Sequence, residues 1–362
     1  MSKSIQRKAE LAPEIKELVQ QVKTQADNEI WDNDPVKHYV RRFGWLEIIQ
    51  EYRTRRSGHG VNTPLKFLTL PSKNATDIGL LYANGLVAKN NDGKLNVAIC
   101  DDTYAEMVVS NLSKVGSLLA YSKKRLHLAL RDDESIINQF PFDIINMDLC
   151  NPLIPEKTME NQEALKWIFK YQRGQSFLLL LTTRVDNSIS NSRHLLGVLN
   201  HNLADVPSFR EAYLRRYGNL DTRSCSNDAV NFIQIVYPKI IARYGRYYGY
   251  RTIEHFTANY RRNRFYSMAC HSFEFEPLAR RDAQKRYEPR IDKILRDETE
   301  ERVYGEFSPA HQTEALSAYV RFIESLPERN SEAVNQRLDN DNKLRRHLER
   351  ESTGLNEWWK QV

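Results

Sequence analysis

The amino-acid sequence predicts an α/β fold: a mostly parallel sheet of about seven strands, with helices on both faces and helical arms at either end. Three observations carry this. Five short apolar runs alternate with helical patterns between Pro64 and Thr183, two strand-like runs follow a long amphipathic stretch, and the flanking segments are charged and helical in period. At 41% hydrophobic and 28% charged residues, the chain has ample apolar material for a core and lacks the signature of disorder.

Each element has a local reason. "APEIKELVQQVKTQA" carries Ile15, Leu18, Val19 and Val22 on one helical stripe, and "GWLEIIQEY" carries Leu46, Ile48 and Ile49 on another. "RTRRSGHGVNTP" then has the basic and Gly/Pro punctuation of a connection, so an N-terminal arm over residues 1–60 is expected. From there "LKFLTL", "LNVAICDD", "RLHLAL", "FDIINMDL" and "SFLLLLTT" read as strands. The segments "ATDIGLLYANGLV", "YAEMVVSNLSKVG", "DESIINQF" and "EALKWIFKYQRG" read as the helices near or between them. A helical insertion is expected near 187–236, then the helix "AVNFIQIVYPKIIARYG" and the strands "RTIEHFTANYRR" and "RFYSMACHSFEFEP". The main domain thus covers 61–278. Residues 279–362 form a charged helical arm whose Leu295, Leu316, Val320 and Ile323 imply packing on a surface.

The charge of +6 leans towards polyanionic partners. No apolar run is long enough to span a bilayer and the first residues lack a signal-peptide core, so a cytoplasmic location without membrane contact is expected. Four scattered cysteines, Cys100, Cys150, Cys225 and Cys270, suggest neither a disulfide framework nor a zinc site, and buried thiols are expected instead. No metal is expected. The phosphate-binding, dinucleotide, zinc-protease and serine-hydrolase motifs are all missing.

What remains is a row of acids at strand ends: Asp101 and Asp102 after the second strand, Asp132 and Asp133 after the third, Asp148 closing the fourth. In a doubly wound sheet these carboxyl ends lie along one edge, where ligands bind. An acid after the second strand can accept both ribose hydroxyls, and a polar group after the third can meet an adenine edge. The same acids would equally serve as solvated loop residues and helix N-caps.

The order of these motifs resembles the catalytic domain of class I S-adenosylmethionine-dependent methyltransferases, and more narrowly the tRNA guanine-N2 dimethyltransferase group. The residues that carry the resemblance are "AICDD" with Asp101, "RDDESI" with Asp133, and "FDIINMDLCNP", which is similar to that group's FDxIDxDPxGSP. It resumes at "IVYPKIIARYGRYYGYRTIEHFTANYRRNRFYSM", and together these segments span roughly half the chain. The resemblance implies a Rossmann-like sheet and S-adenosylmethionine as cofactor, held along Leu70, Ser72, Asn74, Asp101, Asp102 and Asp133. It implies catalysis at Asp148, Asn151 and Asn146, with Asp148 and main-chain carbonyls accepting the hydrogens of a base amine.

The chain departs from the pattern in three places. The first loop reads "TLPSKNATD" without glycines, Asn146 replaces the first acid of the pair, and the aromatic expected after Asp148 is Leu149–Cys150. Phe142, Tyr104 or an arm tryptophan (Trp31, Trp45, Trp358, Trp359) are the candidate substitutes for stacking on a base. Cys150 has no histidine or basic neighbour in sequence to activate it as a nucleophile.

The stretch Lys239 to Tyr266 interleaves Arg243, Arg246, Arg251, Arg261, Arg262 and Arg264 with tyrosines. This composition suits RNA or single-stranded DNA; the alternative is a strand pair with core tyrosines and rim arginines. Two functions are therefore expected to compete: a nucleic-acid methyltransferase, and a degenerate methyltransferase-fold scaffold that binds nucleic acid, a protein partner or its own copies through the arms. The scaffold would suit a subunit of a mobile-element or phage-defence complex.

Overall fold

The computed structural model describes residues 40–56, 64–154, 159–185, 193–205, 207–223, 229–263 and 266–278. The helix expected over 12–26, the arm from 279 onwards, Arg264, Cys225, Trp31, Trp358 and Trp359 lie outside the described residues.

A π-helical segment, Val40–Leu46, runs directly into α1, Glu47–Arg56. The strands are β1 (Phe67–Thr69), β2 (Leu95–Cys100), β3 (Leu118–Ser122), β4 (Ile144–Asp148), β5 (Phe177–Val185), β6 (Tyr250–Asn263) and β7 (Tyr266–Pro277). The helices between them are α2 (Thr76–Ala83), α3 (Ala105–Leu112), α4 (Leu126–Asp132), α5 (Glu134–Ile137), α6 (Glu160–Tyr171), α7 (Arg193–Asp205), α8 (Pro207–Tyr217) and α9 (Ala229–Tyr247).

One seven-stranded sheet has the order β3-β2-β1-β4-β5-β7-β6. The pairings from β3 through β5 are parallel, while β7 runs antiparallel to both β5 and β6. β5 explains its own place: Phe177 to Thr183 are all buried, as a central strand covered on both faces requires. The chain steps outward from β1 to β3 and then crosses back to place β4 beside β1. The strand order therefore reverses between β1 and β4, and their carboxyl ends form the topological switch point.

The expected third strand is corrected. "RLHLAL" is helical, because Leu126, Ala129 and Leu130 share one helical face and are buried together. The strand is the preceding "LLAYS", Leu118–Ser122, a run with little alternation in its burial.

Two cores sandwich the sheet. On one side Val40, Trp45, Ile48, Ile49 and Tyr52 join α2 and α3. On the other, α4, α6, α7 and α9 pack through residues such as Leu130, Phe169, Leu199 and Ile233. The described part of the N-terminal arm is thus built into the domain. Gly245 permits the close approach of α9 to the sheet, since a Cβ there would meet Thr252 Oγ1 at 2.6 Å and a Phe275 ring carbon at 2.7 Å. Among the described residues no helix is long and apolar enough to cross a membrane.

Candidate functional site

At the switch point, polar side chains converge beneath the strand ends. Thr69 of β1 pairs in register with Asn146 of β4, so their side chains project to the same face, towards α2. The Thr69 hydroxyl donates to Asp77 Oδ2, and Asn146 Nδ2 donates to Thr69 Oγ1 at 3.1 Å and to Asp77 Oδ2 at 3.3 Å. Two residues along β4, Asp148 shares that face, and Arg41 from the π-helical segment reaches it with Nη2 3.9 Å from Oδ2. Arg41, Asp77 and Asn146 are buried, Arg41 to 1% exposure. Burial pushes the Asp77 carboxyl above its ordinary range, opposed by the Arg41 charge and the Thr69 hydrogen bond and reinforced by Asp148.

This corner is locally costly. Arg41 Nε and Nη1, Ser72 Oγ, Asp77 Oδ1 and Asn146 Oδ1 are buried without a hydrogen-bond partner among the described residues. Each such group costs about 1–3 kcal/mol. The loop from β1 into α2 turns through Ala75 at φ 48°, a left-handed conformation that disfavours a residue with a Cβ. The strained residue falls in the loop that lacks the glycines of the resembled family, just after Asn74.

The β2/β3 end of the same edge is built differently. Asp101 Oδ1 accepts the backbone N–H of Thr103, at 2.7 Å, and that of Tyr104, which holds the turn leading into α3. No hydrogen bond from a described residue reaches its Oδ2. Burial lifts the Asp101 carboxyl above its ordinary range, against the pull of those two N–H groups. Asp133 uses both oxygens: Oδ2 accepts Ser122 Oγ at 2.6 Å and Oδ1 accepts Ser135 N and Oγ as the N-cap of α5. Burial raises its pKa, but those bonds outweigh it and hold the carboxyl below the usual range. Asp102 is exposed and pairs with Arg125 at 2.9 Å, which also reaches Glu160 at 3.6 Å across the edge.

The structure therefore places Asp101, Asp102, Asp133 and Asp148 along one sheet edge. Leu70, Ser72 and Asn74 lie half-buried in the loop after β1, and Asn151 is exposed just beyond β4, its carbonyl accepting from Thr183 Oγ1 at 3.0 Å. Asn146 sits beneath the edge at 2% exposure. Of the stacking candidates, Phe142 and Trp45 are buried in the two cores and Tyr104 is half-buried at the edge. Cys100 and Cys270 are buried as expected, whereas Cys150 is exposed, because it follows the strand on the loop beyond Leu149. Burial and the nearby Asp133 and Asp101 push the Cys100 thiol far up, so that it is inert.

The arginine–tyrosine stretch divides. Tyr244 and Tyr248 stack on Phe169 with centroids 6.4 and 5.8 Å away, Tyr250 is core, and Arg246 is buried. Those tyrosines follow the packing alternative. Arg243, Tyr247 and Arg251 are exposed, with Arg251 3.8 Å from Glu276. Arg261 and Arg262 lie in β6.

Sequence reasoning missed Arg41 and Asp77. Arg41 could have been found, since it falls in helical register with the apolar stripe of Trp45, Ile48 and Tyr52. Asp77 carried a weaker signal, an acid in the first turn of a helix otherwise apolar through Leu81.

A protein-family model described as PP_RS20740-like matches residues 128–229, from within α4 to the first residue of α9, including Asp133, Asn146, Asp148 and Asn151. Neither curated proteins nor solved structures yield a match.

Proposed function

We propose that the chain is a nucleic-acid-associated protein of class I methyltransferase type, cytoplasmic, which binds S-adenosylmethionine across the β1/β4 switch point and methylates a base. One observation carries the reading: buried polar atoms without a partner on Arg41, Ser72, Asp77 and Asn146, and a left-handed alanine, meet where a doubly wound sheet binds its ligands. Local costs of this kind are retained at functional sites and offset elsewhere. The seven-stranded, mostly parallel sheet is the architecture the sequence resemblance implies.

The residues fit such a ligand. Asp101 Oδ2 is available to ribose hydroxyls, and Ser72, Asp77, Asn146 and Arg41 present donors and acceptors that lack partners. S-adenosylmethionine, when bound, supplies an electrophilic methyl group. Asp148, held beside the Arg41 guanidinium, accepts the hydrogens of the attacking amine and orients its lone pair, so that positioning provides most of the rate.

A second reading, the non-catalytic scaffold, is favoured by the same Arg41–Asp148 contact, which occupies the acid that the reaction needs. Transfer of tritium from methyl-labelled S-adenosylmethionine to RNA and DNA separates the two. The enzyme reading predicts labelled nucleic acid with the natural chain and none with Asp148→Ala; no label from the natural chain on either nucleic acid leaves the scaffold.

A further inference from the structure

We propose that the solvent face of α6, with the adjoining end of α9, is a docking surface for single-stranded nucleic acid, separate from the strand-end site. This rests on the reading of a nucleic-acid partner above, and it moves the cations of that contact to α6, outside the arginine-rich stretch, which contributes only Tyr247 from the end of α9.

Lys166, Lys170 and Arg173 are all exposed, and their positions fall on one side of the helix and its C-terminal turn. No ion pair with a described acid is found for any of the three. Along one border of the strip Trp167 and Tyr171 stack at 5.5 Å with an interplanar angle of 15°. The Nζ atoms of Lys170 and Lys166 stand 4.5 and 5.9 Å from the Trp167 ring centroid. Along the other border α9 packs on Phe169 through Tyr244 and Tyr248, and leaves Tyr247 66% exposed beside Tyr248. The acid within the strip, Glu163, lies in the field of Arg131.

Cations between rings on a surface of this kind match a partner that alternates phosphates with flat bases. Phosphates meet the ammonium and guanidinium groups, and unstacked bases lie on Trp167 and Tyr247. A duplex hides its base faces, so the rings select single strands.

The test measures anisotropy of fluorescein-labelled 20-nucleotide RNA and DNA strands against the full chain over a range of salt. The variant Lys166→Ala/Lys170→Ala/Arg173→Ala is compared with a charge-matched control, Lys89→Ala/Lys94→Ala/Lys114→Ala, all exposed elsewhere. The surface variant is expected to bind at least about tenfold more weakly, with the log–log salt slope reduced by about 2. Trp167→Ala is expected to lose about tenfold while Trp167→Phe keeps most of the affinity.

Equal affinity of the two triple variants, with circular dichroism and melting unchanged, overturns the proposal. So does a loss on polyglutamate as large as on the oligonucleotides, which would assign the face to an acidic protein. Strand binding is read without cofactor, so failure of methyl transfer leaves this result intact.

Discussion

The two halves of the sheet's carboxyl edge use the same residue types for opposite ends. At β2/β3, Asp101 and Asp133 serve their own backbone: Asp101 holds the turn into α3, Asp133 caps α5, and Asp133 leaves neither oxygen idle. At β1/β4, Asp77 of α2 and Asn146 and Asp148 of β4 meet an arginine from outside the α/β repeat, with several atoms left unpaired. The first arrangement stabilises local structure cheaply. The second is expensive and global, so it is the better marker of a site.

Removing Arg41 should break this contrast most severely. Arg41→Met leaves the buried Asp77 and the half-buried Asp148 without their cation and should cost about 3 kcal/mol in urea unfolding. Adding Asp148→Leu should recover much of that loss, since a buried pair replaced as a unit is tolerated.

Asp77 sharpens the contrast through pH. Its folded pKa is raised, so the folded state binds the proton more readily than the unfolded one. Stability should therefore fall as pH rises from near 4, the unfolded value, through the folded pKa. Asp77→Asn should flatten that part of a pH series of chemical unfolding.

Glu274 of β7 supplies a contrast of opposite sign. Burial raises its pKa, but His255 Nε2 at 2.6 Å and the Arg55 charge outweigh that and hold it below the usual range. Its contribution is present above the unfolded pKa and is lost as pH falls through the folded one. Glu274→Gln should cost about 2 kcal/mol at neutral pH and nothing in acid.

Smaller effects belong to the other half of the edge. Asp133→Ala should cost about 1 kcal/mol, the value of an N-cap. Arg125→Ala, which removes an exposed ion pair with Asp102, should change stability by less than about 0.5 kcal/mol, measured by thermal melting.

The sheet was legible because its strands are local signals: β5 announces itself by seven successive buried residues and β4 by a run that closes on an acid. β3 was misplaced because "LLAYS" and "LHLAL" are both short and apolar, and only the i, i+3, i+4 spacing of Leu126, Ala129 and Leu130 distinguishes them. The edge acids were legible as an edge. Their partners were legible only in part, because Asp101 and Asp133 find theirs within three residues or, for Ser122, at the end of the preceding strand, while Asp148 finds Arg41 more than a hundred residues away. The tyrosines of the basic stretch misled for a related reason: composition does not say which ring faces Phe169.

The most direct test is calorimetric titration of the full chain with S-adenosylmethionine and S-adenosylhomocysteine, alongside Asp101→Ala and Asp133→Ala. Micromolar binding by the natural chain, abolished by Asp101→Ala and kept in Asp133→Ala, is the predicted result, because Asp101, unlike Asp133, retains an unengaged oxygen. Absence of heat at millimolar ligand, with the chain folded, would contradict the claim that this edge is a cofactor site.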